Sequence, residues 1–216
     1  RYENSFDPSY RRLLESRFLR NFNFISDDRT LFIKFTKTEI AKLALKYSKS
    51  IEYIERVLSI IKKYNEAEFG IEVALDEFPM VTSVKDVLFY SMELLNRGIH
   101  IDFLAPNIGF RKREDYSGDL NSLYEHVRNI HTVLSSLGIY ISIHSGSGAH
   151  PYSDKGSGTW EIIRRATNGF IKYKMSGVLI QLLLEVLYQS EPGSKARKIY
   201  EEIYDAILEH IYLSLI

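Results

Sequence analysis

The feature that most restricts the fold is an alternation between two kinds of segment. Short runs rich in β-branched and aromatic residues read as strands: Leu31 to Thr36, Ile71 to Glu77, Ile99 to Ala105, Ile139 to His144 and Phe170 to Ser176. Between them lie longer stretches whose apolar residues recur at helical spacing. The spacing predicts helices near 10–19, 84–96, 120–137, 159–167, 178–188 and 194–213, and two helices within 38–61 broken near Ser48 to Ser50. Ser83 stands where a helix N-cap belongs, and Gly138 and Asn168-Gly169 stand where helices stop. Five strand–helix alternations predict a parallel sheet with helical crossovers, in one domain spanning 1–216. An open doubly wound sheet and a barrel both satisfy that pattern. Every strand here ends in polar residues, and barrel enzymes gather their chemistry at the carboxyl ends of strands. The expectation is therefore an α/β, TIM-barrel-like (β/α) repeat with parallel strands, forming an incomplete barrel.

Charge and composition exclude several kinds of function. Lysine plus arginine and aspartate plus glutamate each number 28, leaving no overall field to attract nucleic acid or an anionic membrane. The absence of cysteine excludes disulfides, thiol nucleophiles and cysteine-ligated zinc, and fits a cytoplasmic location. The most apolar stretch, Val178 to Leu187, is interrupted by Gln181 and Glu185 and falls short of the roughly 18 residues a bilayer requires.

Period-two alternation aligns the strand ends. Glu72, Ala74 and Asp76 share one side of their strand, His100 and Asp102 one side of the next, Tyr140, Ser142 and His144 one side of the following, and Lys172, Lys174 and Ser176 one side of the last. Charges excluded from water cost several kcal/mol unless paired or metal-bound, so polar sides on consecutive buried strands point to a shared cavity. His144 runs at once into Ser145-Gly146-Ser147-Gly148. With Asp76 and Glu77 it makes a set of imidazole nitrogen and carboxylate oxygen that suits a divalent cation (Zn, Mn, Mg, Ni or Co) without choosing among them. Adjacent strand residues point oppositely, so only one of Asp76 and Glu77 need face the centre. Lys174 is placed to bind a substrate carboxylate or to act as a base. The loop Asn107 to Asp119 offers Asn107, Arg111, Lys112, Arg113, Asp115, Tyr116 and Asp119 beside the pocket. No nucleophile elbow and no P-loop is present.

The series VALDE, then FLAPN-IGF-K--DYSGDL, then SIHSGSG and KMSG resembles the tagaturonate epimerase family, over about Ile71 to Val186. The motif positions are Asp76-Glu77, Leu104-Ala105-Pro106, Lys112 with Asp115-Tyr116-Ser117-Gly118-Asp119, and His144-Ser145-Gly146-Ser147. The resemblance implies a barrel-like fold and a metal-dependent epimerase of a hexuronate ketose, with this chain the later part of a longer one. It implies that Glu77 and His144 hold the metal, that Asp76, Glu77 and Lys174 are catalytic, and that Asn107, Lys112, Asp115, Tyr116, Asp119, Ser145 and Ser147 bind a small sugar acid. Two departures stand out. Where the family continues His-Ser-Gly-Ser with Asp-Lys, this chain has Gly148-Ala149, and where the family favours arginine after Leu-Ala-Pro it has Asn107. Two further readings remain: a non-catalytic uronate-binding relative, and another metal-dependent sugar isomerase or aldolase.

Overall fold

A computed structural model describes residues 5–26, 29–150, 153–174 and 177–214. Met175 and Ser176, read above as the end of the last strand, lie outside the described residues. The protein is a mixed α/β fold of seven helices and two sheets among those residues. Helix α1 (Pro8–Phe18) leads into β1 (Asn21–Ser26) and β2 (Arg29–Lys34), and α2 (Lys37–Tyr64) follows. Then strands and helices alternate: β3 (Glu72–Ala74), α3 (Val84–Asn96), β4 (Phe103–Ala105), α4 (Leu120–Ser136), β5 (Tyr140–Ile143), α5 (Thr159–Ala166) and β6 (Ile171–Tyr173). A pair of helices, α6 (Gly177–Gln189) and α7 (Lys195–Ser214), completes the order.

The four strands β3 to β6 pair in chain order and all in parallel, as the crossover pattern requires. Val73, Leu104, Ile141 and Ile171 stand in register and form the apolar face of this sheet. They meet buried residues of the crossover helices, among them Val87, Leu88, Val127, Ile130 and Ile163, in one continuous core. The helices start where their sequences satisfy the first backbone N–H groups. Ser83 and Asp86 form a reciprocal capping box on α3, and Asp119 accepts from Ser122 N at 2.7 Å at the start of α4.

Three expectations need correction. The segment at Leu31 does not begin the parallel series. It is β2, paired antiparallel with β1 in a separate hairpin whose Phe22, Phe24 and Ile33 are buried. The residues 38–61 do not hold two helices, because α2 runs unbroken from a Thr36–Glu39 capping box with no glycine or proline inside it. The serines taken for a break do other work: Ser48 is buried and the Ser50 hydroxyl pairs with Tyr90 Oη at 2.8 Å. His100 and Asp102, read as the polar side of their strand, precede β4, and it is Phe103 that stands in register between Glu72 and Tyr140 and so lines the polar face. The parallel series itself is present as four strands, and no closed barrel is formed among the described residues.

Candidate active site at the carboxyl ends of the parallel strands

The polar face of the sheet carries a small ionised cluster. Strand β5 delivers Ser142, which is fully buried, and His144 one residue past its end, also buried. Strand β3 supplies Glu72 and, just beyond it, Asp76. His144 Nδ1 lies 3.1 Å from Asp76 Oδ2, and Nε2 lies 2.8 Å from Glu72 Oε1. The alanines Ala74 and Ala105, opposite one another in register, leave the width that these side chains occupy. Lys172 Nζ reaches across from β6 to 2.9 Å from Glu72 Oε2, resting over the Phe103 ring at 4.6 Å.

A neutral imidazole has one N–H to give, while two ionised carboxylates have none. Both contacts of His144 are hydrogen bonds only if the cluster holds one further proton. Burial pushes the Glu72 carboxyl up, but the ammonium of Lys172, the hydroxyl of Ser142 and the imidazole of His144 outweigh that and hold it down at about 2. Glu72 is therefore a fixed negative charge throughout the physiological range.

The donor chemistry fits a divalent cation: two carboxylates and an imidazole, with Asp76 Oδ1 buried and lacking a hydrogen-bond partner among the described residues. As arranged, however, both ring nitrogens face carboxylates, and no group of three or more histidines or acids among the described residues converges on a common centre.

The structure brings Asp76 and His144 together and leaves Glu77 apart. The Glu77 side chain is mostly exposed and sits 3.6 Å from Lys112 Nζ, itself exposed. Lys174 donates its backbone N–H to Ile143 O at 3.0 Å, which places it beside His144, but its side chain is exposed and has no ion pair among the described residues. Several loop candidates spend their side chains on the loops themselves. Asn107 donates to Phe78 O at 2.7 Å and accepts from Gly109 N at 2.8 Å, so its amide ties two strand-end loops together. Asp115 accepts from Ala149 N at 3.0 Å and from the Ser153 hydroxyl, and these bonds hold its carboxyl below the ordinary range. Asp119 is a helix cap, and the half-buried Tyr116 packs on Phe110 with ring centres 5.7 Å apart. Ser147 Oγ accepts from Arg113 N at 3.2 Å, and Ser145 holds a left-handed backbone at φ 56°. A non-glycine residue there carries strain of about 1 kcal/mol or more, which its surroundings must compensate.

Two residues of this region were not singled out from the sequence. Glu72 was legible from its place on the polar side of its strand, yet lies deeper than the strand end. Lys155 had no periodic signal, since it lies in the loop before α5. The Asp-Lys pair absent directly after Ser147 does occur, as Asp154-Lys155, after six intervening residues. The fold returns Lys155 Nζ to within 2.9 Å of Ser147 O.

Against known proteins, the profile of a family described as UxaE, tagaturonate epimerase, matches residues 2–213. The chain belongs to the tagaturonate epimerase family. Among solved structures it is similar to the native fructuronate-tagaturonate epimerase UxaE from Cohnella laeviribosi, at TM-score 0.70 and 22% identity, covering 98% of this chain and 40% of that one. Complexes of the same protein with one and with two glycerols match at TM-scores 0.72 and 0.74, with 22% and 20% identity and the same coverage. At that identity the likeness is one of fold, and this chain spans 40% of the length of the structures it resembles. No curated protein matches it. No helix among the described residues is long and apolar enough to cross a membrane.

Proposed function

We propose that this chain carries part of the active site of a hexuronate epimerase that interconverts tagaturonate-like and fructuronate-like ketoses, and that its four parallel strands belong to a (β/α) barrel. One observation carries the reading: in a member of the tagaturonate epimerase family, a buried carboxylate–imidazole–carboxylate cluster forms at the carboxyl ends of parallel strands, where enzymes of this architecture keep their chemistry. The glycerols bound to the Cohnella protein fit a site for polyhydroxylated ligands.

The two sugars differ at a carbon β to the ketone, whose proton is not directly acidic. Cleavage of the bond between the α and β carbons solves that problem. The β hydroxyl gives up its proton, the bond's electrons pass to the ketone side as an enediolate, and the resulting aldehyde turns over and is attacked on its other face. Asp76, whose buried Oδ1 has no hydrogen-bond partner among the described residues, takes the hydroxyl proton and returns it. Glu72 holds the His144 ring, and His144 in turn holds Asp76 in place. Lys174 and Lys112, exposed at the mouth, attract the substrate carboxylate. A divalent cation bound beside Asp76 and His144 would supply polarisation of the carbonyl and stabilisation of the enediolate.

The test is interconversion of tagaturonate and fructuronate followed by NMR. Turnover is expected in the wild type, lost with chelator, restored by one of the divalent ions, and absent in His144→Ala and Asp76→Asn. Full turnover in His144→Ala would refute the assignment. Tagaturonate binding by calorimetry with no turnover under any metal would make the chain a binding relative instead.

A further inference from the structure

We propose that Lys155 is a positioning residue whose ammonium acts as a tethered monovalent cation, locking the 111–114 loop onto the His144–Gly148 loop. The proposal rests on the reading of these loops as the mouth of the epimerase site. Lys155 is fully buried, and its Nζ donates to the backbone carbonyls of Arg111, Glu114 at 2.6 Å and Ser147 at 2.9 Å. Three N–H donors meet three carbonyl acceptors, so the ammonium is fully satisfied without a carboxylate. The Phe110 ring closes one side, 5.0 Å from Nζ.

The backbone is bent to achieve this. Lys155 itself has φ 62°, a left-handed conformation rarely adopted by a long side chain, and Gly156 follows at φ 92°. A Cβ on Gly156 would stand 2.7 Å from Tyr116 O, while Lys155 O accepts from Tyr116 N at 2.8 Å and from the Thr159 hydroxyl at 3.0 Å. Burying an ammonium is costly, and the ordinary place for a loop lysine is solvent. Here the chain accepts an unfavourable φ to put that charge inside, at the one point where carbonyls from both loops converge. One of those loops carries Lys112 and Asp115, the other Ser145 and Ser147. The ammonium fixes their separation together with two weaker ties, Arg113 N to Ser147 Oγ at 3.2 Å and Ala149 N to Asp115 at 3.0 Å.

A glycine at position 155 tolerates φ 62° and leaves a channel the shape of the missing side chain. The experiment measures amide hydrogen exchange in the full chain for wild type, Lys155→Met and Lys155→Gly, the last with and without n-butylammonium or n-butanol. Exchange within 111–116 and 145–149 is expected to rise about tenfold or more in both variants while Leu104 and Ile141 stay protected. Butylammonium is expected to restore Lys155→Gly, and butanol is not. With tagaturonate, the variants are expected to show KM raised about tenfold with kcat within a factor of about two, as for lost uniform binding. Unchanged loop exchange, equal acceleration of the core amides, or rescue by butanol would each overturn the proposal. If Lys155→Met does not fold, Lys155→Gly prepared in butylammonium and dialysed free of it carries the same test. Loop exchange is read without substrate. Responsive loops in a protein with no turnover would therefore refute the epimerase reading and leave the pin standing.

Discussion

Glu72→Gln removes one fixed negative charge from the centre of the cluster while keeping its shape. The wild-type carboxyl is held at about 2 against an ordinary value of 4.5. That depression sets an upper limit of roughly 3 kcal/mol on what the charge contributes to stability at neutral pH. Its partner Lys172 is 43% exposed and Glu72 itself 23% exposed, so water screens the pair. The expected loss at pH 7 is accordingly about 1–2 kcal/mol. The sign of the pH dependence follows from the direction of the shift. A carboxyl depressed by folding stabilises fully above its unfolded value and loses that contribution as pH falls toward its folded one. The gap between wild type and Glu72→Gln, measured by urea unfolding at pH 7, 5, 4 and 3, is expected to be widest at pH 7 and to narrow steadily below about 4.5. A gap that stays constant across the series, or widens in acid, would show that Glu72 stabilises by packing rather than by charge.

Gly156→Ala is expected to cost about 2–3 kcal/mol in thermal unfolding, since it combines a left-handed backbone with a contact against Tyr116 O that neither side can relieve. Arg17→Ala strands the Glu93 carboxylate, which is wholly buried and held by Arg17 at 3.0 Å and Tyr10 at 3.4 Å; urea unfolding is expected to show a loss of about 3 kcal/mol, well above that of an exposed pair such as Arg164–Glu161.

The parts of this fold that were legible in the sequence are those with a local cause. The start of α3 follows from Ser83 and the ends of α4 and α5 from Gly138 and Asn168-Gly169, each acting within its own helical turn, whereas Asp119, read as a ligand-binding residue, proved to be the cap of α4. What was not legible depends on partners distant in the chain. Nothing in Leu31 to Lys34 says that its neighbour will be Asn21 to Phe24 running the other way, because NFNF alternates as a strand does while its asparagines read as loop. Ser48 and Ser50 look like a helix break until Tyr90 arrives from α3 to meet one of them.

The cluster divides along the same line. Alternation puts Asp76 and His144 on one side of their strands, but β4 lies between β3 and β5, so their meeting takes the path of the chain past both strand ends as well. Alternation equally sends Glu77 the other way, to solvent and Lys112. Glu72 obeys the same rule as Asp76, but only the geometry shows that its side chain is long enough to reach His144 from one level deeper. Lys155 obeys no periodic rule. Six residues separate its Asp-Lys pair from Ser147, so any comparison by spacing finds the pair missing. In space the ammonium nonetheless reaches the carbonyl of Ser147 itself, at 2.9 Å. Spacing is a proxy for position only while the chain is regular. Past the end of a strand, the position of a charge is set by how its loop closes, and here the loop closes so that the Lys155 ammonium meets the carbonyls of Arg111, Glu114 and Ser147.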